Sequence, residues 1–165
     1  MNIQVVKSGI EEKSIIDDLM QLYLPELGDH EKNKSGRYEY KYLDNYWKEP
    51  NRHPFFIKVD ENVAGFVLVD EKDFNAEPDY PLGITEFFVL KEYRKQAVGE
   101  KVAQEIFGIF QGRWSIREKE DNKSAQEFWR KVIDRYTNGN YKEVISNNER
   151  WRGPVQLFDN SKTAH

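Results

Sequence analysis

A continuous apolar segment near the middle of the chain constrains the fold more than any other feature. Residues 84–90 read Ile-Thr-Glu-Phe-Phe-Val-Leu, and only Thr85 and Glu86 interrupt the apolar run. Such a run is typical of a strand that is buried on both faces of its sheet. Together with the helical patterns before and after it, this strand predicts an α/β fold.

The other segments supply further strands and helices around this one. The predicted strands are β-branched or aromatic runs bounded by turn residues, and they cover residues 3–7, 54–59, 63–69, 84–90, 112–117, 141–145 and 154–158. The predicted helices carry apolar residues at helical spacing, and they cover residues 12–24, 38–47, 99–110 and 123–136. We expect Pro25 to end the first helix and Pro50 to stop the second, while Asp60-Glu61-Asn62 predicts a hairpin turn.

The length of the chain favours a single domain. At 165 residues, one hydrophobic core is the usual outcome. We therefore predict one domain over residues 1–159 and a polar tail over residues 160–165. The first residues have no signal-peptide pattern and no segment has the length of a membrane span, so we expect a cytoplasmic protein that does not bind membranes.

Charge and residue types exclude several functions. The formal net charge of −4 disfavours nucleic acid as a partner. The absence of Cys excludes disulfides, thiolate metal sites and a cysteine nucleophile, and the three His show no spacing typical of a zinc site. No metal site is therefore predicted.

A short basic loop follows the apolar strand and opens a helix. Arg94 and Lys95 lie in this loop, and Gly99 stands near the start of the helix, where it permits close approach of a ligand. Helix N-termini present unpaired N–H groups that can hold a phosphate. Taken alone, the segment is more typical of an ordinary helix start with solvated charges, because short basic loops before helices are common.

Two motifs that follow one another along the chain favour a phosphate-binding loop over an ordinary helix start. The segment Phe87–Phe107 resembles the strand, pyrophosphate loop and helix of the GNAT superfamily of N-acetyltransferases, whose loop reads Gln/Arg-x-x-Gly-x-Gly/Ala. The segment Asn122-x-x-Ala125-x-x-Phe128-Trp129 resembles the next motif of that superfamily. The resemblance implies a mixed, mostly antiparallel central sheet with helices on both faces.

The resemblance also implies the ligand. Acetyl-CoA would place its diphosphate on the N–H groups of residues 96–100 and its pantetheine arm beside residues 88–90, like an added strand. Asn122 would reach the pantetheine arm, or act as an ordinary helix cap, or do both. The implied cofactor-binding residues are Phe88, Val89, Leu90, Arg94, Lys95, Gln96, Ala97, Val98, Gly99, Glu100 and Asn122.

Two residues depart from the pattern of the superfamily. Ala97 stands where the first loop glycine is usual, and it is costly there if the loop requires a positive φ. Trp129 stands where many members carry the tyrosine that protonates the leaving thiolate. Direct transfer would then proceed without that acid, or the chain would be a non-catalytic acyl-CoA-binding or sensing module.

Glu86 is the candidate general base for a primary amine of a small molecule or peptide. An amine must lose a proton before it can attack, and a carboxylate in an apolar strand is a stronger base than one in water. The alternative is a solvent-facing or salt-bridged strand carboxylate. The resemblance places an aromatic group where the superfamily builds its substrate wall: Tyr38, Tyr40, Tyr42, Tyr46 and Trp47. The alternative, which is more common for such residues, is ordinary core or surface packing. The resemblance also allows a homodimer.

Overall fold

The computed structural model describes residues 1–28 and 30–161, and it confirms the α/β fold class. The helices are α1 (Lys13–Leu27), α2 (Asn45–Lys48), α3 (Val98–Ile109) and α4 (Lys123–Thr137). The strands are β1 (Ile3–Lys7), β2 (Arg52–Val59), β3 (Asn62–Asp70), β4 (Gly83–Val89), β5 (Arg113–Arg117), β6 (Lys142–Asn147) and β7 (Arg152–Asp159). Residues 162–165 of the predicted tail lie outside the described residues.

The strands form two sheets. One has the order β1-β2-β3-β4 and the other the order β5-β7-β6. The pairs β1/β2, β5/β7 and β6/β7 are antiparallel, and an isolated parallel bridge joins Leu82 to Trp114. The predicted hairpin turn is present between β2 and β3, where Asp60 and Glu61 have φ of 48° and 70°. Two successive left-handed residues are typical of the tight turns that suit a twisted hairpin.

The chain divides into two compact units, Met1–Val69 with Glu86–Val98 and Asp70–Thr85 with Gly99–His165. In the first unit, α1 packs its apolar stripe against β2, β3 and β4. The buried core of this unit consists of Ile16, Leu19, Met20, Leu24, Leu43, Tyr46, Phe56, Phe66, Leu68 and Phe88. Burial of such large side chains stabilises each by about 1.5–3 kcal/mol relative to exposure.

The prediction that α1 ends at Pro25 is wrong. The helix continues to Leu27 and ends at Gly28, which is left-handed with φ 85° and donates its backbone N–H to the Pro25 carbonyl at 3.3 Å. Proline removes one backbone donor from the last turn, but Leu24 and Leu27 on that turn pack on the core. Burial of these two side chains outweighs the lost hydrogen bond.

The predicted helix over residues 38–47 is mostly absent. Only Asn45–Lys48 is α-helical, and Tyr42 is left-handed with φ 70°. The Gln21 side chain replaces the helical bonds of Tyr38: its Nε2 donates to the Tyr38 carbonyl and its Oε1 accepts from the Tyr38 N–H, both at 2.8 Å. Leu43 is thus buried from a loop rather than from a helix, and Tyr42 is exposed.

The second unit has an aromatic core. The ring of Phe107 on α3 lies 5.0 Å from Trp114 of β5, 6.4 Å from Trp129 of α4 and 5.0 Å from Phe158 of β7. Asn138 ends α4 in the left-handed conformation. No helix of the described residues has both the length and the apolar character needed to cross a membrane.

Candidate functional site

The loop between β4 and α3 contains two left-handed residues. Lys95 has φ 62° and Ala97 has φ 61°, and residues 95–97 are exposed. A non-glycine residue in this conformation costs about 1–2 kcal/mol. Ala97 therefore occupies the strained conformation that a glycine would adopt freely, and strain of this kind is typical of ligand-binding segments.

The loop leads directly into the N-terminus of α3. The helix begins at Val98, so its first backbone N–H groups have no partner within the helix. Left-handed turns before a helix can direct successive N–H groups to one side and form an anion-binding concavity. The adjacent ammonium group of Lys95 has the charge that a phosphate requires. These donors fit a diphosphate.

Two other charged side chains of the predicted loop site already have partners. Arg94 donates from Nε to the Val89 carbonyl at 2.7 Å and from Nη2 to both oxygens of Glu26 at 2.9 and 3.0 Å. Glu100 accepts from Nη1 of Arg135 at 2.7 Å. Arg94 thus fixes the loop to the end of β4, and its role as a phosphate ligand stays a prediction.

A glycine on β3 brings two backbones close together at the end of β4. A Cβ atom on Gly65 would overlap the Phe88 carbonyl oxygen, and the Leu90 N–H donates to the Ala64 carbonyl at 2.8 Å. Phe88 is buried, while Val89 and Leu90 are half-buried. The absence of a side chain at position 65 therefore sets the path of the segment predicted to lie beside pantetheine.

Glu86 on β4 is held by two tyrosines. Tyr23 of α1 donates its hydroxyl to Oε1 at 2.7 Å, and Tyr40 donates its hydroxyl to Oε2 at 2.9 Å. Burial, followed by the charge of Glu86, raises the pKa of both phenols above their usual range, so both remain protonated donors. Glu86 is half-buried, and its role as the base stays a prediction.

The predicted aromatic wall is only partly brought to this carboxylate. The hydroxyl of Tyr40 reaches Glu86, Tyr46 is buried in the core, and Tyr42 is exposed. Tyr38 and Trp47 pack at the edge of the core. The sequence analysis missed Tyr23, because its position on the apolar stripe of α1 is typical of an ordinary core residue.

The second motif lies at the start of α4. Asn122 is the N-cap, since its side-chain oxygen accepts from the Ala125 N–H at 3.2 Å, as one of the two interpretations expected. Trp129 is buried and packs 5.0 Å from the ring of Phe128. The role of Asn122 toward pantetheine stays a prediction.

A buried polar network in the second unit was also missed. Gln156 donates from Nε2 to Oε1 of Glu118 at 2.9 Å and to Oε1 of Glu143 at 2.7 Å, and Arg130 donates two bonds to Glu143. Burial raises the pKa of Glu118 to about 8. The sequence did contain a signal, because Glu118 continues the alternation of buried Trp114 and Ile116.

Within residues 1–28 and 30–161, no group of three or more His, Cys, Asp or Glu side chains is arranged to hold a metal ion.

Comparison with known proteins gives one family. The sequence model of the acetyltransferase (GNAT) family matches residues 16–133. No curated protein sequence matches the chain significantly.

Solved structures show the same fold at low sequence identity. An acetyltransferase of the GNAT family from Staphylococcus aureus Mu50 has a TM-score of 0.62 and 14% identity, with 96% of this chain and 99% of that chain covered. The ribosomal-protein-S18-alanine N-acetyltransferase from Escherichia coli has a TM-score of 0.64 and 8% identity, with 99% and 97% covered. Spermidine N-acetyltransferase from Vibrio cholerae, solved with CoA and spermine, has a TM-score of 0.60 and 8% identity, with 94% and 93% covered.

Proposed function

Because this chain belongs to the GNAT family of acetyltransferases, we propose that it transfers an acetyl group from acetyl-CoA directly to a primary amine. One observation carries the proposal. A single strand, β4, presents a half-buried carboxylate, Glu86, and then runs through a left-handed loop into the unpaired N–H groups of α3. A base and an anion-binding segment therefore follow one another along one strand and its continuation.

The loop supplies the proposed binding of the cofactor. The backbone N–H groups of residues 96–100 and the ammonium of Lys95 would bind the diphosphate, since helix N-termini and cations both favour phosphate. Backbone groups of residues 88–90 would bind the pantetheine arm in the manner of an added strand.

Glu86 has the proposed role of general base. Acetyl-CoA, when bound, supplies an activated acyl carbon as a thioester. An amine with a pKa of about 10.4 arrives as ammonium, and it must lose a proton before its nitrogen can attack. The Glu86 carboxylate takes that proton, either directly or through one water, while a β4 backbone N–H near Val89 stabilises the negative charge that develops on the acyl oxygen.

The departing thiolate needs no acid from the chain. A thiol has a pKa of about 8.5, so its conjugate base is a stable leaving group near neutral pH. Trp129 cannot replace the usual tyrosine, because an indole N–H is far too weak an acid. Solvent therefore provides the proton for the sulfur, and the chain contributes deprotonation of the amine.

A melting experiment tests the cofactor. A ligand at a hundredfold excess over its Kd adds about 2.7 kcal/mol of stability, which should raise Tm by about 5–10 °C in a chain of this size. Gly99→Asp should remove the shift by placing a carboxylate against the diphosphate. Gly108→Asp is the matched control, because it adds the same charge to α3 at a position where an added Cβ meets no atom within 4 Å.

Turnover of acetyl-CoA with a panel of amines tests the reaction. Glu86→Gln preserves the shape of the side chain but deletes the base, so kcat should fall by about 10²–10⁴-fold while the acetyl-CoA melting shift persists. Unchanged kcat in this variant would remove Glu86 from the mechanism.

A non-catalytic acyl-CoA-binding or sensing module is the second candidate. Two observations favour it: the strained conformation of Ala97 and the burial of Trp129 at the usual position of the acid. The two candidate functions predict different results in the melting and acetylation experiments. A sensor shows the melting shift with acetyl-CoA and no acetylation of any amine, whereas the enzyme shows both.

A further inference from the structure

We propose that Tyr23 and Tyr40 are positioning residues, whose hydroxyls hold the Glu86 carboxylate charged and in one orientation for the acceptor amine. This inference rests on the proposed function, in which Glu86 is the base. The two tyrosines come from distant parts of the sequence, 63 and 46 residues from Glu86. We call Glu86 with these two residues the tyrosine clamp.

Each oxygen of the carboxylate accepts one phenolic bond. The Tyr23 hydroxyl lies 2.7 Å from Oε1 and the Tyr40 hydroxyl lies 2.9 Å from Oε2. The Tyr23 distance is typical of a hydrogen bond to an ionised oxygen, and the Tyr40 distance lies in the ordinary range of O–H···O hydrogen bonds. Because the two bonds reach different oxygens, together they fix the rotation of the carboxylate, which one bond alone leaves free.

Packing makes the clamp rigid. The ring of Tyr23 lies 5.4 Å from Phe66 and 5.3 Å from Phe88. Tyr40 packs at the edge of the same core and interacts with Tyr46. Side chains held in this way lose little further freedom when a substrate binds, and preorganised groups of this kind contribute most to catalysis.

Two charged side chains, Glu26 and Arg94, lie near the clamp. Glu26 of α1 adds a negative charge that acts on Tyr23, and Arg94 carries a bidentate pair with Glu26 and lies 5.6 Å from the Phe88 ring. Arg94 thus compensates Glu26. Tyr46 on α2 interacts with Tyr40. Among these groups, the two phenols donate directly to Glu86.

The chemical consequence is control of the protonation of Glu86. A donor bonded to a carboxylate stabilises its charged form relative to the protonated form. Removing one donor should therefore move the titration of the Glu86 carboxyl upward.

Direct titration of Glu86 is the main test. We would measure the ¹³C carboxyl NMR signal, assigned with Glu86→Gln, in the wild type, Tyr23→Phe and Tyr40→Phe. Tyr136→Phe is the matched control, because it also removes a bonded phenol, one that accepts from Asn160 at 3.0 Å. We expect the midpoint to rise in the two clamp variants and to stay constant in the control. An unchanged midpoint in both clamp variants overturns the proposal.

The pH–rate profile provides the second readout. The acidic limb of kcat/KM should move upward by the same amount as the NMR midpoint, and kcat on the plateau should fall severalfold because the carboxylate loses its fixed orientation. A lower melting temperature with an unmoved acidic limb indicates a merely structural role and overturns the proposal. If Tyr23→Phe does not fold, Tyr40→Phe carries the same test through the other oxygen.

These experiments distinguish failure of the proposed function from failure of the clamp proposal. A wild type that shows no acetyl-CoA melting shift and acetylates no amine overturns the proposed function, and with it the catalytic use of the clamp. A wild type that acetylates amines, with clamp variants whose midpoint and acidic limb match its own, overturns the clamp alone.

Discussion

Replacing Glu118 with glutamine should stabilise the protein, and the gain should depend on pH. Glu118 is 4% exposed, its Oε1 accepts one bond from Gln156, and its Oε2 is buried with no hydrogen-bond partner in the described part of the chain. Burial is the largest cause of its raised pKa of about 8, and the nearby charge of Glu143 adds to it. Ionising this carboxyl therefore opposes folding.

The sign and the size of this pH dependence follow from the pKa of Glu118 in the unfolded and in the folded chain. The carboxyl has an ordinary pKa of 4.5 in the unfolded chain and about 8 in the folded one. The folded protein holds the proton more tightly, so the contribution of Glu118 to stability is highest below pH 4.5, falls as the pH rises toward 8, and then levels off. The full difference corresponds to at most about 5 kcal/mol, and relaxation around the charge should leave about 2–3 kcal/mol.

Urea denaturation, followed by fluorescence of the four tryptophans, measures the effect. At about pH 8.5, the free energy of unfolding of Glu118→Gln should exceed that of the wild type by about 2–3 kcal/mol, and the two should agree near pH 4.5. Glu120→Gln, at an exposed position two residues along the chain, should change stability by less than about 0.5 kcal/mol. Equal stabilisation at both pH values, or destabilisation at the higher one, would refute the reasoning.

Four further substitutions test the loop and the second motif. Ala97→Gly should stabilise the protein by about 1 kcal/mol, because glycine adopts a positive φ without strain, whereas Ala125→Gly in α4 should cost about 1 kcal/mol. A loss of stability for both in urea denaturation would show that the left-handed conformation is not the source of strain. Trp129→Phe should retain most of kcat and lower Tm, since the smaller ring leaves a cavity. Trp129→Tyr should change kcat little, and a strong rise with a new alkaline limb would indicate that an acid was missing.

The order of strands and helices could be predicted because local patterns determine most of it. The hairpin at residues 60–61 and the caps of α4 rest on turn and capping residues that act within a few positions. Where prediction failed, a distant contact outweighed the local pattern. Pro25 is tolerated because its turn packs on the core, and residues 38–44 leave the helical path because Gln21 binds the backbone of Tyr38.

The candidate site could be predicted only in part, for the same reason. Glu86 and the loop before α3 are visible in the sequence because they lie on one continuous segment. The tyrosine clamp is not visible in the sequence, because Tyr23 and Tyr40 are brought to Glu86 only when the chain folds. Their spacing in the sequence is that of ordinary core residues. The conformation of Ala97 likewise depends on the loop geometry and not on its residue type.

Gly65 has a consequence for which sequences this fold can tolerate. At Gly28 the requirement is conformational: φ is 85° and an added Cβ meets no atom within 4 Å, so asparagine could replace it at modest cost. At Gly65 the requirement is space, because any Cβ would overlap the Phe88 carbonyl. A saturation-mutagenesis library selected for folding should therefore retain several residue types at position 28 and only glycine at position 65. Substitutions at position 65 could be rescued only by changes that move the β4 backbone itself, which side-chain replacements elsewhere cannot readily do.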